Sequence, residues 1–329
     1  MEIIALMGPY DQEIKALIYK SLPDGFTIKE ISAESQFGDL HDVQYVILRT
    51  FSMKEHTINS MPMLRLIQRW GVGHDKVDIK AAGIRNIPVA ITSGMNAPSV
   101  SEMALLLMLA VYRQLPRLYK NVVTGKWRGE AGIASTSYVI DGKVVGIIGF
   151  GAIGKQVAEK VKAFGAKAQY YDIVRQASSE EQKWDVQYAE LKELLRTSDI
   201  VSLHLPLTGD TRHLIRKETI ELMKPDAIII NTARGEVIKE DDLVEALKNK
   251  RIRGAGLDVM EHEPPDKNSP LFALENVVLT PHMAGSTMDI NVSMVKRCID
   301  NIVNTSKGKG IMKTDLVNAQ YLHDPKIRT

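Results

Sequence analysis

The sequence predicts an α/β protein built from two doubly wound domains with mostly parallel sheets. Three observations predict it. Short apolar runs alternate with helical stretches through residues 1–95. In mid-chain a glycine-rich turn, Gly149-Phe-Gly-Ala-Ile-Gly154, joins one such run to another helical stretch. The helical tail after about residue 285 must bury its apolar face elsewhere, because some ~45 residues are marginal as an independent core. Packing that tail back on the first 95 residues makes the outer domain discontinuous, with residues 1–95 plus 286–329 in one domain and 96–285 in the other.

The elements follow in order. Strands are expected at Ile3–Leu6, Val43–Leu48, Leu64–Gln68 and Pro88–Ile91, with helices at about 12–21, 54–60 and 75–83 between them. One long helix is expected from Ser99 to about Thr124, ending near Gly125. Its longest apolar run, Met103 to Val111, is far too short to span a bilayer. Lys143–Ile148 reads as a buried strand, Val157, Val161 and Phe164 mark a helix, and Ala168–Tyr171 is a second strand. Further strands are expected at Asp199–Leu205, Ala227–Thr232, Gly254–Asp258 and Val277–Thr280. The fully apolar centre of Ala227–Thr232 suits a strand covered on both faces.

Bulk properties exclude several function classes. The 329 residues are 44% hydrophobic and 25% charged, with net charge +2, values ordinary for a globular protein. Lysines and arginines are dispersed, so no nucleic-acid partner is expected. No membrane association and no metal site are expected either. The N-terminal Met-Glu-Ile-Ile-Ala-Leu-Met reads as a strand rather than a signal peptide. The only cysteine, Cys298, lies in a helical pattern and reads as core filler. A reducing, cytoplasmic compartment fits.

The order strand, Gly-x-Gly-x-x-Gly, helix, strand, acid is a dinucleotide-binding signature. Gly149 permits the turn out of the strand, Gly151 lets a pyrophosphate approach the backbone, and Gly154 lets the helix pack close to the sheet. The helix start at Ala152 and Ile153 offers N–H groups and partial positive charge to the phosphates. Asp172 stands 18 residues past Gly154. Its carboxylate can accept from both ribose hydroxyls and would repel a 2′-phosphate, which favours NAD over NADP. Arg175 could soften that repulsion.

Three ionisable residues stand just past strand ends: Arg234 in Asn231–Gly235, Glu263 in Glu261–Pro264, and His282 in Leu279–His282. In open α/β sheets the ligand crevice lies outside those ends. Arg234 offers a planar fork for a substrate carboxylate. His282 can move a proton near neutral pH. Glu263 can fix its tautomer and favour its charged form. The loop Trp70-Gly-Val-Gly-His-Asp75 exposes N–H groups, including those of Val72 and Gly73, suited to an anion.

These residues carry a resemblance. Gly71–Asp78, Asn96–Glu102, Gly142–Gly154, His204–Thr208, Asn231–Gly235, Gly256–Val259, Glu263-Pro264 and Thr280–His282 resemble, in order and spacing, the D-isomer-specific 2-hydroxyacid dehydrogenase family. The resemblance implies two Rossmann-like domains, the substrate domain discontinuous, and Arg234, Glu263 and His282 as the catalytic set. It implies NAD as cofactor, with Asp258 near the nicotinamide carboxamide and Pro206 beside the adenosine. Arg49 matches a position that often helps bind substrate, and His204 reads as structural. A homodimer through the cofactor domains, with the long helix after Ser99 at its interface, is the form implied. Formate dehydrogenases of this group carry Gln where this chain has Glu263, which disfavours a one-carbon substrate.

The expected activity is hydride transfer between the nicotinamide and a small 2-oxo or 2-hydroxy acid. Hydroxypyruvate or glyoxylate needs only a small polar pocket, whereas 3-phosphoglycerate needs cations for its phosphate. Arg49, Arg69, His74, Lys76 and Arg128 are the candidates. The alternative is an NADH-sensing corepressor-like binding protein on the same fold, which keeps similar Arg, Glu and His residues.

Overall fold

The computed structural model describes residues 1–127, 134–323 and 325–328. The chain divides into two compact units, Met1–Asn96 with Ser286–Thr329, and Ala97–Gly285.

The first unit runs β1 (Glu2–Met7), α1 (Gln12–Ser21), β2 (Phe26–Ile31), β3 (Tyr45–Leu48), α2 (Glu55–Asn59), β4 (Leu66–Arg69), α3 (Ile79–Ile84) and β5 (Val89–Ala90). All strands are parallel, in the order β2-β1-β3-β4-β5, one of the two common doubly wound orders. Every residue of β3 is buried, as a strand covered on both faces requires. β2 is absent from the sequence-based expectation. It is an edge strand, half-buried for most of its length, and its Lys29 and Glu30 face surface ion pairs with Asp42 at 3.1 Å and Lys15 at 2.5 Å. Such a segment carries too little apolar signal to read as a strand.

The helix Met288–Ser306 completes this unit. Its Val295, Cys298, Ile299 and Ile302 share one core with Ile4, Leu6, Ile14, Ile18 and Tyr45. Asn301 adds a buried bond, its Nδ2 donating to Gln68 Oε1 at 2.9 Å. Burial pushes the Cys298 thiol well above its usual range, so it fills core and is no nucleophile.

The second unit opens with two helices where one was expected: α4 (Ala97–Tyr112) and α5 (Leu115–Val123). The break lies at Gln114, whose φ of 52° is left-handed, with Pro116 in the first turn of α5. A proline in a first turn starts a helix rather than continuing one. Then follow β6 (Val144–Ile148), α6 (Ala152–Ala163), β7 (Lys167–Tyr171), α7 (Ser178–Trp184), β8 (Gln187–Tyr188), α8 (Leu191–Thr197), β9 (Ile200–Leu203), α9 (Lys217–Ile220), β10 (Ile228–Asn231), α10 (Glu240–Lys248), β11 (Gly254–Leu257) and β12 (Val277–Leu279). The sheet order is β12-β11-β10-β9-β6-β7-β8, parallel throughout. From β6 the chain winds outward to β8, then returns to lay β9 to β12 on the other side. β6 and β9 therefore flank the reversal point, where such sheets bind ligands. Among the described residues no helix is long and apolar enough to cross a membrane.

Candidate active site

The glycine-rich turn leaves β6 at the reversal point. Gly149 has φ +93°, and a Cβ there would lie 2.3 Å from the His204 carbonyl oxygen, so the turn has room for nothing larger. A Cβ on Gly154 would lie 2.2 Å from the Gly149 carbonyl oxygen. A Cβ on Gly151 would meet nothing within 4 Å. Gly151 therefore faces open space where backbone can approach a phosphate. Gly151 and Ala152 are exposed at the start of α6, and Ile153 is half-buried.

Asp172 follows β7 and reaches back to this turn. Its Oδ2 accepts from the Phe150 N–H at 2.7 Å. Pro206 is exposed in the loop after β9, where Thr211 Oγ1 donates to its carbonyl at 2.7 Å. His204 bonds Ser202 Oγ through Nε2 at 2.7 Å. Burial pushes it down to about 3, so it is neutral. Its Nδ1 and the Thr232 hydroxyl are buried without a partner in the protein. These orphaned polar atoms stand just past β9 and β10, beside the reversal point. With the Gly151 opening, they make a seat fitting a dinucleotide.

Past β10, Asn231 shapes the loop that carries Arg234. Asn231 Nδ2 donates to the Arg234 carbonyl at 2.8 Å and its Oδ1 accepts from the Ala233 N–H at 3.0 Å. Gly235 lets this loop press on the next one, since a Cβ would fall 1.9 Å from the Met260 carbonyl oxygen. That next loop carries Glu263. Glu263 Oε1 accepts from the Met260 N–H at 3.2 Å, and Oε2 lies 2.7 Å from His282 Nδ1. Burial pushes the Glu263 carboxyl up, but the hydrogen bond and charge of His282, the Met260 N–H and the Arg234 charge leave it below the usual carboxylate range. It is ionised at neutral pH.

His282 has φ +56°, a left-handed conformation that a non-glycine residue adopts only when its surroundings impose it. Asp258 imposes it. This fully buried carboxylate accepts from Thr280 Oγ1 at 2.5 Å, the Met283 N–H at 2.9 Å and the Ala284 N–H at 2.8 Å, while its carbonyl accepts from the His282 N–H at 2.7 Å. Asp258 thus spends its side chain on holding the His282 loop. With Nδ1 committed to Glu263, Nε2 is the nitrogen left to exchange a proton.

In the other unit, Arg49 follows β3. Its Nη1 donates to the Pro9 carbonyl at 2.7 Å, and its guanidinium lies over the Tyr10 ring at 5.4 Å. Val72 and Gly73 lie half-buried in the loop after β4. That loop is held by Arg69, only 8% exposed, whose Nε donates to the Gly73 carbonyl at 2.7 Å. Its Nη1 donates to the Leu48 and Arg49 carbonyls at 3.0 and 2.8 Å. Arg69, considered above as a phosphate ligand, is a structural clamp. Lys76 Nζ donates to the Thr50 carbonyl at 3.3 Å, and His74 Nδ1 lies 3.4 Å from the Val72 carbonyl. Arg128 lies outside the described residues.

The sequence reading missed Asn231 and Arg69 as braces and Asp258 as the anchor of the His282 loop. Asn231 had a signal: an asparagine at a strand end before a tight loop bonds its own backbone.

The chain is similar to several known proteins. Residues 105–284 match the family described as D-isomer specific 2-hydroxyacid dehydrogenase, NAD binding domain. A glyoxylate reductase of Thermococcus litoralis is 38% identical over 281 residues, 84% of each chain. A hydroxypyruvate reductase of Thermotoga maritima is 37% identical over 284 residues, 85% of this chain and 90% of its own. The crystal structure of D-lactate dehydrogenase from Aquifex aeolicus, complexed with NAD and lactic acid, superposes with TM-score 0.83 at 29% identity. The match covers 92% of this chain and 96% of that one.

Proposed function

The chain belongs to the D-isomer-specific 2-hydroxyacid dehydrogenase family, and from that premise we propose that it reduces a small polar 2-oxo acid of the glyoxylate or hydroxypyruvate class. Its activity as an NAD-dependent 2-hydroxyacid dehydrogenase follows from the family. The choice of substrate and the roles of individual residues are our reading.

The observation that carries it is the 2.7 Å Glu263–His282 pair, with Glu263 on a loop packed against the Arg234 loop. Arg234 binds the substrate carboxylate and polarises the adjacent carbonyl. His282, charged and held through Nδ1 by ionised Glu263, gives its Nε2 proton to the carbonyl oxygen as charge grows there. Asp258 keeps His282 in place. Gly149, Gly151, Gly154 and the first turn of α6 hold the dinucleotide phosphates, Asp172 takes the ribose hydroxyls, and Pro206 borders the adenosine. NADH, when bound, supplies the hydride to the carbonyl carbon. Arg49, Val72 and Gly73 are assigned to substrate binding, and their unit to the substrate domain.

Two facts favour a small unphosphorylated acid. The relatives above at 37–38% identity are named for hydroxypyruvate and glyoxylate reduction. Of the cations considered for a phosphate, Arg69 is buried and bonded to three carbonyls. The test is NADH consumption against glyoxylate, hydroxypyruvate, phosphohydroxypyruvate, pyruvate and a branched-chain 2-oxo acid. Hydroxypyruvate or glyoxylate should lead in kcat/KM, and a clear lead for phosphohydroxypyruvate would overturn the assignment.

The assembly proposed is a homodimer through α4 and α5. α5 leaves Leu115, Tyr119, Val122 and Val123 at least half exposed, an apolar stripe that a lone chain would not leave in water. Sedimentation equilibrium at twice the chain mass is its check. A cytoplasmic location fits the single, buried cysteine.

A further inference from the structure

The corner beyond Asp172 contains an arginine that the dehydrogenase mechanism does not use. Arg175 lies three residues past Asp172, in the stretch expected to face the adenosine ribose. A guanidinium there is the group that would bind a 2′-phosphate, which carries about two negative charges at neutral pH. Yet its fork is filled. Arg175 Nε donates to Glu181 Oε1 at 2.9 Å and Nη2 to Glu181 Oε2 at 3.0 Å, the two-point geometry that an arginine would otherwise offer to phosphate. The guanidinium also lies over the Tyr188 ring at 5.1 Å.

Glu181 is itself fixed. It stands on α7, and its side chain is 13% exposed against 61% for Arg175. Tyr170, at the end of β7, donates its hydroxyl to Glu181 Oε1 at 2.7 Å and accepts from the Gln176 N–H at 3.0 Å. The hydrogen bonds from Arg175 and then Tyr170 hold the Glu181 carboxyl below its usual range, so it remains an anion. The neighbouring Glu180 holds Lys155 at 3.3 Å and Lys183 at 3.6 Å. Two adjacent glutamates thus take up three cations of this corner and leave Asp172 to face the ribose.

We propose that Glu181 sets cofactor choice, holding Arg175 in a bidentate pair so that it cannot serve a 2′-phosphate. Glu181 is a positioning residue, and it keeps the enzyme an NADH enzyme although a phosphate-binding arginine is present. The proposal rests on the assignment of Asp172 to the ribose.

The test measures kcat and KM with NADH and with NADPH for Glu181→Gln, Glu181→Ala, Arg175→Ala, Asp172→Ala and the double variant Glu181→Ala/Arg175→Ala. Releasing one charge-assisted fork should raise kcat/KM for NADPH about tenfold. The gain should fall on KM rather than kcat, with NADH kinetics within about threefold of wild type. The double variant should lose the gain, because the arginine carries it. Arg175→Ala alone should leave NADPH use unchanged.

If Asp172→Ala raises the NADPH to NADH ratio but neither Glu181 variant does, the Glu181 proposal is wrong and the ribose assignment stands. If Asp172→Ala leaves that ratio unchanged, the ribose assignment itself fails. A gain that survives in the double variant overturns the proposal, since it would not come from Arg175. Glu181→Gln keeps the side-chain volume and one acceptor for Tyr170. NADPH binding by fluorescence on that variant reads the effect even if Glu181→Ala folds poorly.

Discussion

Two histidine–glutamate pairs lie on one stretch of this chain, and only one is assigned to catalysis. His282 meets Glu263 at 2.7 Å, and His213 meets Glu261 at 2.6 Å. By distance alone they are the same device. Their surroundings differ. Glu261 gives its second oxygen to the Glu240 N–H at 2.9 Å, its own N–H donates to Glu240 Oε2 at 3.1 Å, and the His213 N–H donates to the Glu236 carbonyl at 2.8 Å. That pair ties α10 to the loop after β11. His213 bonds through Nε2, whereas His282 bonds through Nδ1, and its Nε2 is the nitrogen assigned to proton transfer. His282 is also the more exposed, at 49% of its side chain against 32%. A His–Glu bond is therefore no signature of catalysis. What sets the His282 pair apart is its greater exposure and the charge of Arg234 acting on Glu263.

Substitution should separate the pairs, and the largest effect belongs to His282. His282→Ala should lower kcat for 2-oxo acid reduction about 100- to 10,000-fold, the usual span for losing a general acid. Retention of turnover within a few-fold would erase the distinction between the pairs. Glu263→Gln should cost about 10- to 100-fold in kcat, since the amide replaces the charge-assisted acceptor that holds the ring through Nδ1. A loss below about threefold would mean that Glu263 only shapes the loop.

The smallest effect concerns His213. His213→Ala should keep kcat within about threefold of wild type while lowering Tm by about 2–4 °C, the shift for about 1 kcal/mol in a domain of this size. A large loss of turnover at unchanged Tm would make the second pair functional as well. Acid sharpens the same contrast. Burial pushes both glutamates up, but hydrogen bonds and nearby charge win, and both sit below the ordinary 4.5. The unfolded chain then binds more protons, so each contributes stability above pH 4.5 that is lost as pH falls through its lower folded value. Thermal melting of Glu261→Gln across the acid range should show a flatter decline than wild type.

What could be read ahead of the fold was local. Gly149, Gly151, Gly154 and Asp172 lie in one strand–turn–helix–strand unit, and each has a conformational or chemical reason visible in a few neighbours. Arg234, Glu263 and His282 were legible as candidates because each stands in the loop after an apolar strand. The partnership of His213 with Glu261 was not, since it joins residues 48 apart through packing of α10. Arg69 stood among five candidates for a phosphate because nothing nearby in the chain reveals that Leu48 and Arg49, at the end of β3 and just past it, would present two carbonyls to it. The break at Gln114 was hidden for the opposite reason. The apolar pattern runs on across it, and only the left-handed backbone ahead of Pro116 ends the helix.

The core of the first unit is assembled from two segments far apart in the chain, and this sets an order of events during synthesis. Ile4, Leu6, Ile14 and Ile18 leave the ribosome well before Val295, Cys298, Ile299 and Ile302, which share their core. The whole of Ala97–Gly285 is made in between, at roughly 5–20 residues per second. The sheet of the first unit therefore waits about tens of seconds with an oily flank uncovered, while the second unit can already close. A nascent chain of this kind needs a chaperone most in the interval before the helix Met288–Ser306 is delivered.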